Sequence, residues 1–545
     1  MNDDVSRILE FHARTKHRPD RYARGPGQLD WATQPDPFRT WELAPQLPLP
    51  LAAGALDTAY TALAAPGAVP ARPLTLDSVA AFFELALGLS AWKEFRDSRW
   101  ALRCDPSSGN LHPTEGYLLV AQVEGVPAGL YHYLSRDHVL ERRWTPDAAG
   151  ALDGLLPNGT CLVGLSSIHW REAWKYGERA FRYCQHDAGH CIASVRYAAA
   201  ALGWPARLLE DAGDALRASL MGLDREPDFA AVDELEREHP DALLLVGPPA
   251  DVDLAGLAAL MAHGTWAGVA NVLSSGHVSW PAIDAAAEAT ARPAGVPTAP
   301  APALPALPAL APVTDLPAAT LIRQRRSAVQ LDGRTTLPAA RFFRILDALL
   351  PRPGVAPWDA LPWEAHVHPA FMVHRVVGLE PGLYFLERSP GAAAELQAAC
   401  TEPLAFTPVT EAPAHLPLLR LAPGEARQAA RLLSCHQEIA ADGAFTLGML
   451  AQFGPSIRAR GAWWWRRLFW EAGVLGHVLY LEAEAAGIRG TGIGCYFDDV
   501  FHELFGFKDD RFQSLYHFTA GGPVEDTRIM TRPPYAHLAG RRTLR

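Results

Sequence analysis

The sequence predicts two related domains in tandem, each mixing helices and strands, folded together as an intramolecular pseudo-dimer. Three observations carry this. The chain has 545 residues, more than one hydrophobic core normally organises. Residues 285–317 form a Pro/Ala run (PTAPAPALPALPALAP); such a composition cannot hold a core and favours extended polyproline conformation, so it reads as a semi-rigid spacer. Finally, Arg182 through Gly203 aligns without gaps with Arg466 through Gly487, pairing Asp187-Ala188-Gly189 with Glu471-Ala472-Gly473. That period is far longer than a solenoid repeat. A domain duplicated within one chain mimics a homodimer about a pseudo-two-fold axis.

In chain order, residues 1–72 are rich in Pro, Arg and Trp with little periodicity, and read as an extended arm laid over a surface. Residues 73–284 form the first domain. Leu76 to Leu87 has the apolar spacing of a helix, with Asp77 near its start and Gly88 past its end. Gly116 to Val123, a turn at Gly125–Gly129 and a strand from Leu130 read as a β-hairpin. Gly177 to Leu202 is an Ala-rich helix ending at Gly203, and Leu243 to Gly247 is a short buried strand. After the spacer, residues 318–545 repeat the outline: a helix over Leu337–Leu350, then Gly382-Leu383-Tyr384 where the first copy has Gly129-Leu130-Tyr131.

Apolar residues make up 49% of the chain and charged residues 20%, ordinary for a soluble globular protein. The net charge of -11 disfavours nucleic acid or an anionic membrane as partner. Seven cysteines without a C-x-x-C pair argue for a reducing compartment and against a disulfide framework or zinc ribbon. The first twenty residues are charged throughout, unlike a secretory signal, and no apolar run is long enough for a bilayer. A cytoplasmic protein is expected.

Four stretches could carry chemistry. Arg103-Cys-Asp-Pro-Ser-Ser-Gly-Asn-Leu-His-Pro113 reads as a rigid loop presenting backbone N–H groups and short polar side chains; its plain alternative is a proline-bounded connection. Arg323-Gln-Arg-Arg-Ser327 could cradle a phosphate, or be a solvated basic patch. Gly490-Thr-Gly-Ile-Gly494, before Cys495 and Asp498-Asp499, would let backbone approach a ligand, or simply turn the chain. It does not fit the dinucleotide fingerprint. Lys175-Tyr176 could act as acid or base, or be two surface residues before a helix. His186 and His190 are four apart, a spacing compatible with metal binding. Their aligned partners are Trp470 and Val474 and no third ligand is evident, so they read as packed residues and no metal is expected.

Together, PSSGNLHPTEGYLL, KYGERAFRYCQHDAGH, GIGCYFDD and SLYHFTAGGPVEDTRI resemble nitroreductase-like FMN proteins, specifically the SagB-type (azoline or thiazoline) dehydrogenases, in a tandem form covering most of the chain. The resemblance implies an α+β fold, with an antiparallel-rich sheet flanked by helices in each copy, and FMN held between copies. Carried over, it assigns Arg325, Arg326 and Ser327 to the phosphate, with Arg528 a further candidate, and Ile493-Gly494 to the reactive edge of the flavin ring. Arg103, Pro106, Ser107, Ser108 and Asn110 would hold the ring and ribityl chain from the first domain. A basic residue frequent two positions after the phosphate-binding Ser is Val329 here. The first domain lacks the Arg-x-Ser element, and the second has His366-Val-His-Pro-Ala-Phe-Met in place of the Pro-Ser-Ser-Gly-Asn loop. One FMN per chain is therefore expected. Lys175 would be the base and Tyr176 its orienting or relaying partner in dehydrogenating an azoline ring of a modified peptide, possible company being other peptide-modifying enzymes. The alternatives are an NAD(P)H-dependent nitro- or quinone reductase working on a small molecule, and a non-catalytic flavin-binding or scaffold subunit.

Overall fold

The computed structural model describes residues 3–121, 123–297 and 304–538. Two antiparallel sheets carry the two halves. The core of the first runs Val139–Thr145, Gly129–Leu134, Thr114–Val120, Cys161–Ser167, His239–Val246 and Ala206–Leu208, with the short strands Thr265–Trp266 and Gln46–Pro48 added beside Val139–Thr145. The second runs Leu418–Pro423, Gly382–Leu386, Val367–Val373, Phe445–Gln452, Phe512–Gly521 and Arg489–Ile493. Every core strand has its counterpart at the same place in the other sheet. The expected hairpin is present, with Leu118 opposite Tyr131 and Val120 opposite Gly129. Both sheets are buried on both faces over most of their central strands, which explains their near-continuous apolar sequence.

Each half contributes one 22-residue helix, Ala180–Ala201 and Trp464–Ala485, and these two pack against each other at the centre. Ala dominates the first because it loses no side-chain entropy in a helix; it ends at Leu202, and Gly203 follows at φ +73°. The helices cross at Gly189 and Gly473. A Cβ on Gly189 would lie 2.3 Å from the Trp470 carbonyl oxygen, and one on Gly473 would lie 2.2 Å from that of His186. The contact is reciprocal in the ungapped alignment, as a two-fold interface requires. The same symmetry sets two buried ion pairs across the interface: Arg182 to Asp498 at 2.8 Å, and Arg466 to Asp214 at 2.6 Å.

The Leu76–Ala86 helix starts where expected, capped by Thr75 and Ser78 in a reciprocal capping box. In the second half the helix is Ala339–Ala348. Three features differ from the sequence reading. The 1–72 arm opens with an amphipathic helix, Asp3–Arg14, which buries Val5, Ile8 and Phe11. Phe11 packs edge-on against Phe181 and Trp465, so this helix closes one end of the junction between the long helices. Its apolar stripe is too short to stand out among charged neighbours. Second, residues 285–289 belong to the Pro281–Ala289 helix: Pro at the first helical turn and the following alanines favour helix. Beyond the undescribed stretch, the spacer is docked by guanidinium bonds from Arg352 and Arg344 to the Pro308 and Ala311 carbonyls. Third, Leu89–Phe95 and Ser98–Arg103 form a hairpin before the Arg103–Pro113 loop, and Met530–Arg532 from the second half adds a strand to it.

Candidate functional site

The junction of the halves encloses a cavity of about 1150 Å³. Of the residues singled out in the sequence, Arg103, Pro106, Ser107, Ser108, Asn110, Tyr176, Arg325, Arg326, Ser327, Ile493, Gly494 and Arg528 all line it. Lys175 does not.

The first wall is the loop after the Ser98–Arg103 strand. Gly109, Asn110 and His112 have φ of +59°, +61° and +52°, which forces a tight left-handed course. At Gly109 only glycine fits, since a Cβ would sit 2.3 Å from the Tyr176 hydroxyl and 3.0 Å from Lys175 Nζ. The polar side chains fix this course rather than reaching outward. Ser107 Oγ accepts the His112 N–H at 2.8 Å, and Asn110 Nδ2 donates to the Ala101 carbonyl at 2.8 Å. Ser108 donates from N and Oγ to Asp187 on the first long helix, at 3.0 and 2.9 Å. The Arg103 guanidinium turns away, donating to the Thr114 and Pro37 carbonyls. These side chains thus brace a preformed loop along the cavity wall. Burial pushes the Asp187 carboxyl up to about 7 despite its bonds to Ser108 and Ser107.

The second wall follows the Ala318–Gln324 helix. Buried Arg325 uses Nη2 on the Arg103 carbonyl at 3.0 Å, lies over the Tyr480 ring, and leaves Nε without a partner. Ser327 Oγ is 3.0 Å from the Tyr480 hydroxyl, which accepts the Gly492 N–H at 2.8 Å. Arg326 is committed elsewhere: its guanidinium binds the Arg323, Arg325 and Ser90 carbonyls, so it braces the segment. Arg528 stands on the rim, exposed and paired with Asp526 at 2.7 Å.

The third wall is the strand Arg489–Ile493 and the turn after it. A Cβ on Gly492 would lie 1.8 Å from the Tyr516 hydroxyl, and one on Gly494 would lie 2.5 Å from the Tyr183 ring. The Gly494 carbonyl accepts from Tyr183 Oη and Arg179 Nη2, each at 3.1 Å. Tyr183, His190 and Tyr516 complete this wall; sequence reading missed both tyrosines and took His190 for a packed residue. His186 is packed, stacked on Tyr516 at 4.4 Å between ring centres. His190 turns to the cavity, its Nε2 3.2 Å from the Tyr516 hydroxyl, and is held neutral, its pKa pushed down to about 3 by burial and Arg325. Their spacing along one helix was the only available signal.

Tyr176 ends the His169–Tyr176 helix with its ring edge-on to Tyr183. Burial, with Glu172 next, holds its hydroxyl well above the usual phenol range. Lys175 Nζ lies 5.2 Å from the Tyr176 ring centre, beside Gly109 and behind the lining.

The pseudo-equivalent place in the other half is filled. There Arg467 pairs with Glu210 at 3.0 Å, Arg196 with Asp359 at 2.7 Å and Arg388 with Glu471 at 2.5 Å.

No protein-family model matches the chain. A solved structure from Anabaena variabilis that carries a nitroreductase assignment aligns over 95% of this chain and 99% of its own, with a TM-score of 0.67 and 21% identity. The chain has the nitroreductase-like fold. A Methanocaldococcus jannaschii protein with a nitroreductase assignment is 28% identical over 137 residues, 24% of this chain and 66% of that protein. TfxB, a trifolitoxin-processing protein of Rhizobium leguminosarum bv. trifolii, is 34% identical over 109 residues, 18% of this chain and 29% of TfxB. The chain thus spans just under two thirds of the first relative and less than a third of the second.

The cavity of this nitroreductase-like chain suits a flavin mononucleotide. Its volume exceeds that of typical small-ligand pockets. Gly109, Gly492 and Gly494 let Tyr176, Tyr516 and Tyr183 close against the backbone of its walls. The unpartnered Arg325 Nε, with Ser327 and rim Arg528, forms a phosphate-compatible end. The unpartnered buried Asp105 Oδ1 and His112 Nδ1 are further polar atoms along the wall.

Proposed function

We propose that this chain is an FMN-dependent oxidoreductase of the SagB type that dehydrogenates an azoline ring in a modified peptide, using one composite site. The carrying observation is the single large cavity to which the second half brings Arg325, Ser327 and Ile493-Gly494 while the first brings the Pro106–Asn110 loop. In this reading Arg325 Nε and Ser327 Oγ bind the phosphate, and the glycine backbone lies along the ring. FMN supplies a two-electron sink when bound. Tyr176 is the member of the Lys175-Tyr176 pair at the cavity wall. It orients the substrate ring and passes on the proton that leaves the ring carbon, and Lys175 behind it receives that proton. Burial keeps the Tyr176 hydroxyl protonated at rest, the state a relay requires. The processing role in the name of TfxB supports a peptide substrate.

The test is direct. The purified, reconstituted protein is expected to be yellow with close to one FMN per chain. A value near two sinks the single-site reading, and none sinks the oxidoreductase reading. With a cyclised peptide, Lys175→Ala and Tyr176→Phe should lower turnover by about 10²-fold or more while flavin content holds. Unchanged turnover removes the base and relay assignments. Bleaching by NAD(P)H without peptide would favour the reductase alternative.

A further inference from the structure

Beside the third wall lies a thiol pair that the proposed chemistry does not use. Cys495 follows Gly494 and lines the cavity. Cys435 lies at the turn after the Arg427–Leu433 helix, facing the Cys495 segment, and the two thiols influence each other's ionisation. Two clasps hold the segments together on either side of the sulfurs: the Phe497 N–H donates to the Leu433 carbonyl at 2.8 Å, and Gln437 Nε2 donates to the Cys495 carbonyl at 3.0 Å. Cys435 and His436 have φ of +52° and +61°, a conformation non-glycine residues rarely adopt and one that surrounding structure must enforce. It falls here where the chain segments carrying the two cysteines face each other.

The surroundings favour a thiolate on one sulfur. His17, from the N-terminal arm, lies near enough to Cys495 to favour its thiolate. Its Nδ1 accepts the Ala23 N–H at 2.9 Å, so Nε2 carries the ring hydrogen. Arg179, bound to the Gly494 carbonyl, adds positive charge nearby. Cys495 is accordingly pulled below the ordinary thiol range, chiefly by the Cys435 thiol and then by His17, and Cys435 is pushed up. Both are half-buried, whereas Cys104, Cys161, Cys184 and Cys191 are buried. Cys400 is half-buried too, but burial pushes its thiol up to about 11. Reactivity follows thiolate character and access, and only Cys495 combines them.

We infer that Cys495 and Cys435 form a thiol–disulfide exchange site in the cavity wall, with Cys495 the attacking and Cys435 the resolving sulfur, taking low-molecular-weight disulfides. The Cys495 thiolate attacks one sulfur of a disulfide R–S–S–R; a bond forms between the two sulfurs, the R–S–S–R bond breaks, and RS⁻ leaves and is protonated by water. Cys435 then gives its proton to solvent and attacks Cys495 Sγ, expelling the second RS⁻. The protein dithiol is oxidised by two electrons and R–S–S–R is reduced to two RSH.

The test treats the native full-length chain with one equivalent of 5,5′-dithiobis(2-nitrobenzoate). The expected result is release of about two thionitrobenzoate ions per chain in the fast phase, no retained adduct, and a Cys435–Cys495 disulfide by peptide mapping. Cys435→Ser, or Cys435→Ala, should release one ion and keep the adduct on Cys495. Cys495→Ser should slow the reaction about 10-fold or more. A stable adduct on native Cys495, or a fast phase that survives in Cys495→Ser, overturns the inference. The assay involves no flavin, so its outcome is separate from that of the proposed function.

Discussion

The open cavity and its filled counterpart occupy related places in the two halves, and the same alignment matches them residue by residue. Asp187 on the open side corresponds to Glu471 on the closed side. Asp187 receives the Ser108 N–H and hydroxyl; Glu471 receives the His366 and Val367 N–H groups and Arg388 at 2.5 Å. Asp187 holds the loop before the Thr114–Val120 strand and Glu471 holds the start of the Val367–Val373 strand, where Arg388 also binds it. Gly494 corresponds to Glu210, and Tyr183 to Arg467: a glycine carbonyl and a phenol on one side, a buried ion pair at 3.0 Å on the other. Tyr480, which serves Ser327, corresponds to Arg196, which pairs with Asp359 at 2.7 Å. The contrast teaches that the closed site was filled by charges neutralising one another across the interface. A buried charge is tolerated only when paired, so each arginine there needs its carboxylate and neither leaves room for a ligand.

The sharpest way to break this contrast is to transplant the filling. In Tyr183→Arg/Gly494→Glu, the arginine removes the ring that a Gly494 side chain would strike, and the ion pair should occupy the ring end of the cavity. Flavin affinity should fall by about 10²-fold or more, read by absorbance after reconstitution; retained flavin would show that the Gly494 wall is not part of the site. On the closed side, Arg388→Ala leaves the Glu471 carboxylate buried without its cation. A loss of about 3–5 kcal/mol in unfolding free energy is expected, against about 1 kcal/mol for Ser108→Ala on the open side; equal losses in denaturant titrations would contradict the contrast.

A gentler probe uses Asp187. Its folded pKa is raised from the ordinary value to about 7, so between about pH 4 and 7 the folded chain binds a proton that the unfolded chain has released. By linkage, this group makes stability fall as pH rises through that window. Asp187→Asn keeps an acceptor for Ser108 and removes the titration, so its melting temperature should fall less steeply from pH 4 to 7 than that of the native chain. The smallest effect is expected at the rim: Arg528→Ala breaks an exposed pair and should leave the melting temperature nearly unchanged, with flavin content at most slightly lowered.

Much of the site was readable in the sequence as motif but not as geometry. The segments around Arg325–Ser327, Gly492–Gly494 and Pro106–Asn110 do meet. What Ser108 and Asn110 do there could not be read, because a short hydroxyl or amide in a loop bonds backbone or ligand equally well. Arg103 and Arg326 likewise turn to carbonyls. Asp187 was visible only as one half of an aligned pair, and Tyr183, Tyr480 and Tyr516 looked like core aromatics because their rings are buried and only their hydroxyls matter.

By itself the sequence determined the duplication, the two long helices and the alternation of strands and turns, since periodicity, capping and glycine placement act over a few residues. Only the tertiary structure decided which of the two related places stayed open. That choice rests on pairings such as Arg467 with Glu210 and Arg388 with Glu471, between residues far apart in the chain. Charge compensation depends on distance in space, which local sequence does not encode.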